Sequence, residues 1–202
     1  MTTMHIIYLH GLDSNPDATK AVITSDAAKI HNIQTHRPNL NCAPEQALAK
    51  ILQLIQNYPN SVLIGSSLGG YFASLVSDIT GRPAILLNPS IRPDLSFQRF
   101  LTDNFHSKPL NPDSVIYTTV YGWQILYQDL SWFKKHPIQV NYPNKIKVLL
   151  KMADELLPSE KTAQFFLAKG AEVFCQEGGD HRFSDYDVQV DTVVNLVKQL
   201  LS

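Results

Sequence analysis

The sequence has little of several features that mark specialised classes of protein. Only two of its 202 residues are cysteine, Cys42 and Cys175, and one pair does not make the disulfide framework of a small secreted domain. We expect both to be reduced, packed thiols. Lysine and arginine number 17 against 18 aspartate and glutamate, which gives a net charge of −1. No basic surface is therefore predicted, and neither nucleic acid nor a membrane is expected as a partner.

Long apolar runs are also scarce. Residues 1–9 carry no lysine or arginine before their apolar positions, which argues against a secretion signal. Residues 61–79 are long enough to span a membrane, but their glycines and serines and the late Asp78 argue against it. The sequence therefore predicts a soluble, cytoplasmic protein, with one domain and a full-sized core over residues 1–202.

Short apolar runs alternate with segments of helical periodicity along most of the chain. Strands are predicted at residues 5–9, 33–36, 62–65, 84–87, 146–152 and 172–175. Helices are predicted at residues 18–30, 44–59, 68–79, 159–169 and 184–201. This alternation predicts an α/β fold, a three-layer αβα sandwich whose short, mainly parallel sheet is buried on both faces.

The interval from about residue 92 to residue 144 interrupts this alternation. It is rich in proline, asparagine and aromatic residues, the aromatics being Phe97, Phe100, Phe105, Tyr117, Tyr121, Trp123, Tyr127, Trp132 and Phe133. We predict an insertion that lies over the carboxyl edge of the sheet, where the functional site of such a sheet is expected. An ordinary crossover connection with extra helices is an equal alternative, in which the aromatic side chains simply fill the core.

Residues 62–70 read VLIGSSLGG, an apolar run that ends in a Gly-x-Ser-x-Gly turn centred on Ser67. Such a turn leads from a buried strand into a helix and holds the serine hydroxyl exposed, often on strained backbone. We expect glycine at positions 65 and 69 because a Cβ there would meet the helix or the neighbouring strand. A glycine-rich turn without chemistry is the alternative. A phosphate-binding loop is disfavoured because no Lys-Ser or Lys-Thr follows.

A serine nucleophile needs a base, and the base needs an orienting carboxylate. In an open parallel sheet these groups stand on loops at the carboxyl ends of the strands. His181, in the glycine-containing loop after the last predicted strand, is the best candidate base. Asp154, just past the preceding strand, is the preferred acid, and Glu155 is the runner-up. Asp180 adjoins His181 but is badly placed to reach its ring.

The remaining histidines have weaker claims to a chemical role. His5 lies within a predicted strand, His31 and His36 flank another, and His106 and His136 lie in the predicted insertion. A metal site built on His31 and His36 would lack further ligands at suitable spacing. We therefore expect no metal and no other cofactor.

A second loop is predicted at the same edge of the sheet. His10, Gly11 and Leu12 follow the first strand, and if that strand neighbours the strand of the serine motif, both loops face one crevice. We expect the backbone N–H groups of Leu12 and Leu68 to form an oxyanion hole. His10, Gly11 and Ser66 would line the site, and His10 would brace the loop rather than act as the base.

The chain order Ser67, Asp154, His181 is that of the α/β-hydrolases. Five blocks strengthen the likeness: YLHGLDSNP at 8–16, IGSSLGGY at 64–71, LNPSIRP at 87–93, ADELL at 153–157 and EGGDHRF at 177–183. With them the chain resembles the α/β-hydrolase superfamily, and more closely the YqiA-like (UPF0227) bacterial esterases. The resemblance implies a compact hydrolase with little or no separate cap, in which these three residues are nucleophile, acid and base.

The sequence therefore predicts a serine carboxylesterase that hydrolyses small-molecule esters, with short acyl chains, through an acyl-enzyme. An acyl-CoA-type thioesterase or a perhydrolase could use the same three residues. A protein that binds small ligands on this fold without catalysis is the alternative from another class.

Overall fold

The computed structural model describes residues 3–104 and 109–201, so Phe105 and His106 of the predicted insertion lie outside the described residues. The strands are β1 (Met4–Leu9), β2 (Ile33–His36), β3 (Ser61–Ser66), β4 (Ala84–Leu87), β5 (Val115–Thr118), β6 (Gln124–Leu126), β7 (Ile146–Lys151) and β8 (Glu172–Gln176). The helices are α1 (Thr19–Ile30), α2 (Pro44–Asn57), α3 (Leu68–Thr80), α4 (Pro93–Ser96), α5 (Gln98–Asn104), α6 (Tyr127–Lys135), α7 (Ser159–Ala168) and α8 (Tyr186–Leu201).

Within the described residues, six strands form one parallel sheet in the order β2-β1-β3-β4-β7-β8. The chain moves outward in one direction from β1 and in the other from β3, so the order reverses between these two neighbours. Leu9 pairs with Gly65 at their carboxyl ends, and the loops that follow therefore face one crevice, as parallel sheets of this kind require. The predicted fold class is confirmed.

Alternate residues of the central strands enter separate cores on the two faces of the sheet. Ile6 and Tyr8 of β1 pack with α1 and α8, whereas Ile7 and Leu9 pack with α2, α3, α6 and α7. Strand β8 lies at the edge of the sheet and is largely exposed. The expectation of a packed thiol is accordingly wrong for Cys175, which this edge strand leaves exposed.

The described parts of the segment from 92 to 144 contain helices α4, α5 and α6 and an antiparallel hairpin of β5 and β6. The hairpin was not predicted from the sequence pattern. Its Ile116, Trp123 and Ile125 are buried in the same core as α2 and α3. The segment is also fastened to α3 by the Tyr71 hydroxyl, which donates to the carbonyl of His136 at 2.7 Å.

No helix among the described residues combines the length and the apolar character needed to cross a bilayer.

Candidate active site

The turn from β3 to α3 leaves no room for side chains at its two flanking glycines. A Cβ on Gly65 would lie 2.3 Å from the Gly69 carbonyl oxygen, and one on Gly69 would lie 2.0 Å from the carbonyl oxygen of Leu9. A side chain at either position would therefore clash with neighbouring backbone, as predicted. Ser67, at the apex, has φ 56° and ψ −117°, a region that is strained for any residue with a side chain.

A continuous hydrogen-bonded chain joins three side chains above this turn. The Ser67 hydroxyl oxygen lies 2.9 Å from His181 Nε2, and His181 Nδ1 lies 2.8 Å from Asp154 Oδ2. A carboxylate only accepts hydrogen bonds, so Nδ1 carries the proton and Nε2 presents its lone pair to the serine. The structure thus brings together the three residues that the sequence placed on separate loops.

The Asp154 carboxylate is well anchored. Its side chain is only 1% exposed, and Oδ1 accepts the backbone N–H groups of Leu156 and Leu157, each at 2.8 Å. Buried charge of this kind is tolerated when its oxygens are hydrogen-bonded and a partner can carry the opposite charge. Oδ2 accepts the Nδ1–H of His181, and because the carboxylate itself is held in place, this bond keeps the imidazole in one orientation.

The two other acidic candidates lie elsewhere. Glu155 Oε2 accepts the backbone N–H of His181 at 3.0 Å and makes no described bond to the ring. Asp180 Oδ1 accepts the N–H of Ser184 at 3.0 Å. Of these carboxylates, only Asp154 is positioned as the partner of the imidazole.

The loop after β1 lies directly against the serine. A Cβ on Gly11 would lie 3.2 Å from the Cβ of Ser67. His10 is buried, with Nδ1 2.9 Å from the Gly11 carbonyl oxygen and Nε2 accepting the N–H of Leu40 at 3.0 Å. An imidazole that accepts at Nε2 is neutral, and burial also lowers the pKa of His10. His10 is therefore placed as a brace between two loops.

The predicted oxyanion donors flank the same point. Leu68 is the first residue of α3, where an N–H group has no intrahelical acceptor. Within residues 3–104 and 109–201, neither this group nor the N–H of Leu12 has a protein acceptor. Leu12 and Leu68 both line the cleft that contains Ser67.

This cleft has a volume of about 840 Å³. His10, Gly11, Ser66 and His181 line it, together with several residues that the sequence did not single out as site residues: Lys20, Phe97, Arg99, Leu156, Leu157 and Arg182. Burial lowers the pKa of Lys20 to about 8, and its ammonium group donates to the carbonyl of Arg182. These residues come from α1, from α5 and the residue before it, and from the loops after β7 and β8, and no local sequence pattern predicts that they meet at one cleft.

The β5–β6 hairpin is tied to the rim of the cleft. Asp13 has φ 51° and accepts the Tyr117 hydroxyl at 2.6 Å and the backbone N–H of Val120 at 2.9 Å. Asp13 follows Leu12 directly, so the hairpin holds the loop that carries a candidate oxyanion donor.

His36 pairs with a different residue from the one considered in the sequence. Its Nε2 lies 3.1 Å from His5 Nδ1, and its ring stacks on Tyr58 with the centroids 3.7 Å apart. Within the described residues, no group of three or more histidine, cysteine, aspartate or glutamate side chains is arranged to hold a metal ion.

Comparison with known proteins identifies the family of the chain. A family model described as "Uncharacterised protein family (UPF0227)" matches residues 5–198. The chain belongs to this family. A UPF0227 protein of Vibrio cholerae is 27% identical over 167 residues, which cover 79% of this chain and 80% of the relative.

Two solved structures show the fold of this UPF0227 protein. Mouse alpha/beta hydrolase domain-containing protein 10 is similar with a TM-score of 0.69 at 20% identity, over 97% of this chain and 90% of the mouse chain. The esterase domain of a Rhodothermus marinus protein is similar with a TM-score of 0.69 at 15% identity, over 98% and 88% of the two chains. The UPF0227 protein has the α/β-hydrolase fold.

Proposed function

We propose that this UPF0227 protein is a serine hydrolase that cleaves carboxylic esters, with Ser67 as nucleophile, His181 as base and Asp154 as acid. The observation that carries the proposal is the hydrogen-bonded chain from Ser67 through His181 to Asp154 at the wall of an open cleft. A serine hydroxyl is a poor nucleophile at neutral pH, and this arrangement supplies the base that it needs. The esterase named among the similar structures agrees with the proposal.

The chemistry follows from the atoms in place. His181 Nε2 takes the hydroxyl proton while Ser67 Oγ bonds to the ester carbonyl carbon, whose oxygen becomes negatively charged and accepts the N–H groups of Leu12 and Leu68. Asp154 stabilises the imidazolium that results. The bond between the former carbonyl carbon and the alkoxide oxygen then breaks, His181 gives its proton to that oxygen so that the alcohol leaves, and the acyl group stays on Ser67 Oγ as the acyl-enzyme. Water, deprotonated by His181, releases the acid by the same steps.

Labelling with a fluorophosphonate and turnover of p-nitrophenyl esters test the assignment. The unchanged protein should be labelled and active, whereas Ser67→Ala should lose both properties and keep its unfolding temperature. Ser131→Ala, at an exposed serine of α6, should be labelled like the unchanged protein. Labelling of Ser67→Ala at the unchanged rate contradicts the assignment.

Substrate class needs a separate comparison, because thioesterases and perhydrolases can use the same three groups. Rates on p-nitrophenyl esters of increasing acyl length, on acyl-CoA, and on esters with added peroxide rank the three activities. We expect short-chain esters to give the highest kcat/KM. A protein that binds these esters but neither turns them over nor is labelled would be a ligand-binding protein instead.

A further inference from the structure

Asn88, the first residue after β4, has a buried side chain that joins the end of β4 to the end of β7 and to the loop after β8. The residue is 2% exposed. Its Oδ1 accepts the backbone N–H of Lys151 at 2.9 Å, and its Nδ2 donates to the carbonyl oxygens of Asp180 at 3.0 Å and His181 at 3.2 Å. Lys151 ends the strand that leads to Asp154, so one amide links the acid loop to the base loop.

The identity of this side chain follows from its partners. A backbone N–H can only donate and a carbonyl oxygen can only accept, so the Asn88 amide has one workable orientation and fills it with three bonds. Its backbone has φ 42°, a left-handed conformation that asparagine and glycine adopt more readily than other residues. The backbone N–H of Asn88 donates to the Leu149 carbonyl at 3.0 Å. This bond fixes the Asn88 backbone, and with it the side-chain amide, against β7.

The backbone of His181 is also held from a different loop. Glu155, an exposed residue, accepts the backbone N–H of His181 at 3.0 Å, while the Asn88 side chain donates to the carbonyl oxygen of His181. The main chain of His181 is thus bound on both sides by side chains, and the described hydrogen bonds of the imidazole ring go to other residues, Ser67 and Asp154. The glycines at 178 and 179, with φ 71° and 72°, precede this point, so the loop has little stiffness of its own.

We propose that Asn88 and Glu155 are positioning residues that hold the backbone of His181, so that its Nε2 stays in line with the Ser67 hydroxyl. This inference rests on the proposed function for its catalytic consequence, but the geometry it describes is measurable without turnover. A misplacement of about 1 Å in a reacting group can lower a rate by about 100-fold.

Asn88→Asp is the sharpest variant, because it keeps the volume, the left-handed conformation and the acceptor for Lys151 but removes both donors. An ionised carboxylate would face two carbonyl oxygens and push the base loop away. We expect kcat to fall by about 10- to 100-fold with KM within about twofold. The loss should deepen as the pH rises, because only the protonated carboxyl can donate to a carbonyl. Asn32→Asp, at an exposed left-handed asparagine, is the matched control and should leave the whole pH profile unchanged.

Glu155 gives a second test that does not depend on a buried substitution. Glu155→Ala should lower kcat by about fivefold or more with an unchanged unfolding temperature, and Glu155→Gln, whose amide oxygen still accepts, should restore most of it. Glu160→Ala, at another exposed glutamate, is the control. If Asn88→Asp fails to fold, the pair of Glu155 variants decides the proposal.

The proton on His181 Nδ1 supplies a readout of geometry that needs no substrate. In the unchanged protein it should give a downfield NMR resonance that His181→Ala lacks, and Asn88→Asp and Glu155→Ala should broaden it or abolish it. Sharp resonances together with unchanged kcat in both variants would overturn the positioning roles and leave the nucleophile assignment intact. If the wild-type protein were neither labelled by the fluorophosphonate nor active on esters, the proposed function would be overturned instead. The Nδ1 proton resonance would still show whether Asn88 and Glu155 position His181.

Discussion

Gly69 lies so close to Leu9 that a Cβ on it would come within 2.0 Å of the Leu9 carbonyl oxygen. The helix that follows the candidate nucleophile therefore packs directly on the strand that leads to the candidate oxyanion donor Leu12. Gly69→Ala should lower the free energy of unfolding by about 3 kcal/mol or more, because two backbones have to move apart. Denaturant unfolding measures this, and near-normal stability in the variant contradicts so close an approach.

Gly11 tests crowding near the same serine without such a clash. A Cβ there would lie 3.1 Å from the Ser66 carbonyl oxygen and 3.2 Å from the Ser67 Cβ, so a shift of a few tenths of an ångström would accommodate it. We expect Gly11→Ala to fold and to lose about tenfold in kcat, since the shift moves the Leu12 N–H. Unfolding curves and ester turnover together separate this result from the one at Gly69.

The backbone of Ser67 predicts an unusual order of stabilities. At φ 56° and ψ −117° a residue with a Cβ is strained by about 1–3 kcal/mol, which exceeds the freedom of about 0.5–1 kcal/mol that glycine adds to the unfolded chain. Ser67→Gly should therefore melt about 2–4 °C above Ser67→Ala. At Ser131, inside α6, the order should be reversed, with alanine above glycine. The same order at both sites would contradict strain at Ser67.

The buried brace at His10 predicts how stability depends on pH. Burial lowers the pKa of this imidazole in the folded protein, so between that value and about pH 6.5 the unfolded chain binds more protons than the folded one. The stability contributed by neutral His10 is therefore complete above about pH 6.5 and is lost as the pH falls through this window. Unfolding temperatures measured from pH 7.5 to pH 5 should show the decline.

His10→Gln provides the comparison for this decline. The variant should be less stable at neutral pH but should lose less on acidification, because one of the protonating groups is gone. Burial also lowers the pKa values of His5 and His36, so part of the slope should remain. His31→Gln, at an exposed histidine, should keep the full slope, and an equal slope in His10→Gln would contradict the assignment.

The sequence predicted the parts of this protein that local patterns determine. The strand ending at Gly65 and the loops carrying Asp154 and His181 follow from apolar runs and turn residues, and the rule that parallel strands present their carboxyl ends together brings these loops to one edge. The hairpin was missed because its strands, VIYT and QIL, lie in the aromatic-rich segment, where a short apolar run cannot be told from part of a buried helix by periodicity. Asn88 was missed because its bonds reach residues 63, 92 and 93 positions along the chain, which no local pattern encodes.

The described bonds of the Asn88 side chain all end on main-chain atoms, and this has a consequence for how the molecule can change. Every residue other than proline offers the same N–H and carbonyl groups, so substitutions at positions 151 and 180 can leave the connection intact. The loops around the cleft are therefore free to acquire new side chains, and new substrate preferences with them, while the spacing of Ser67, Asp154 and His181 stays fixed.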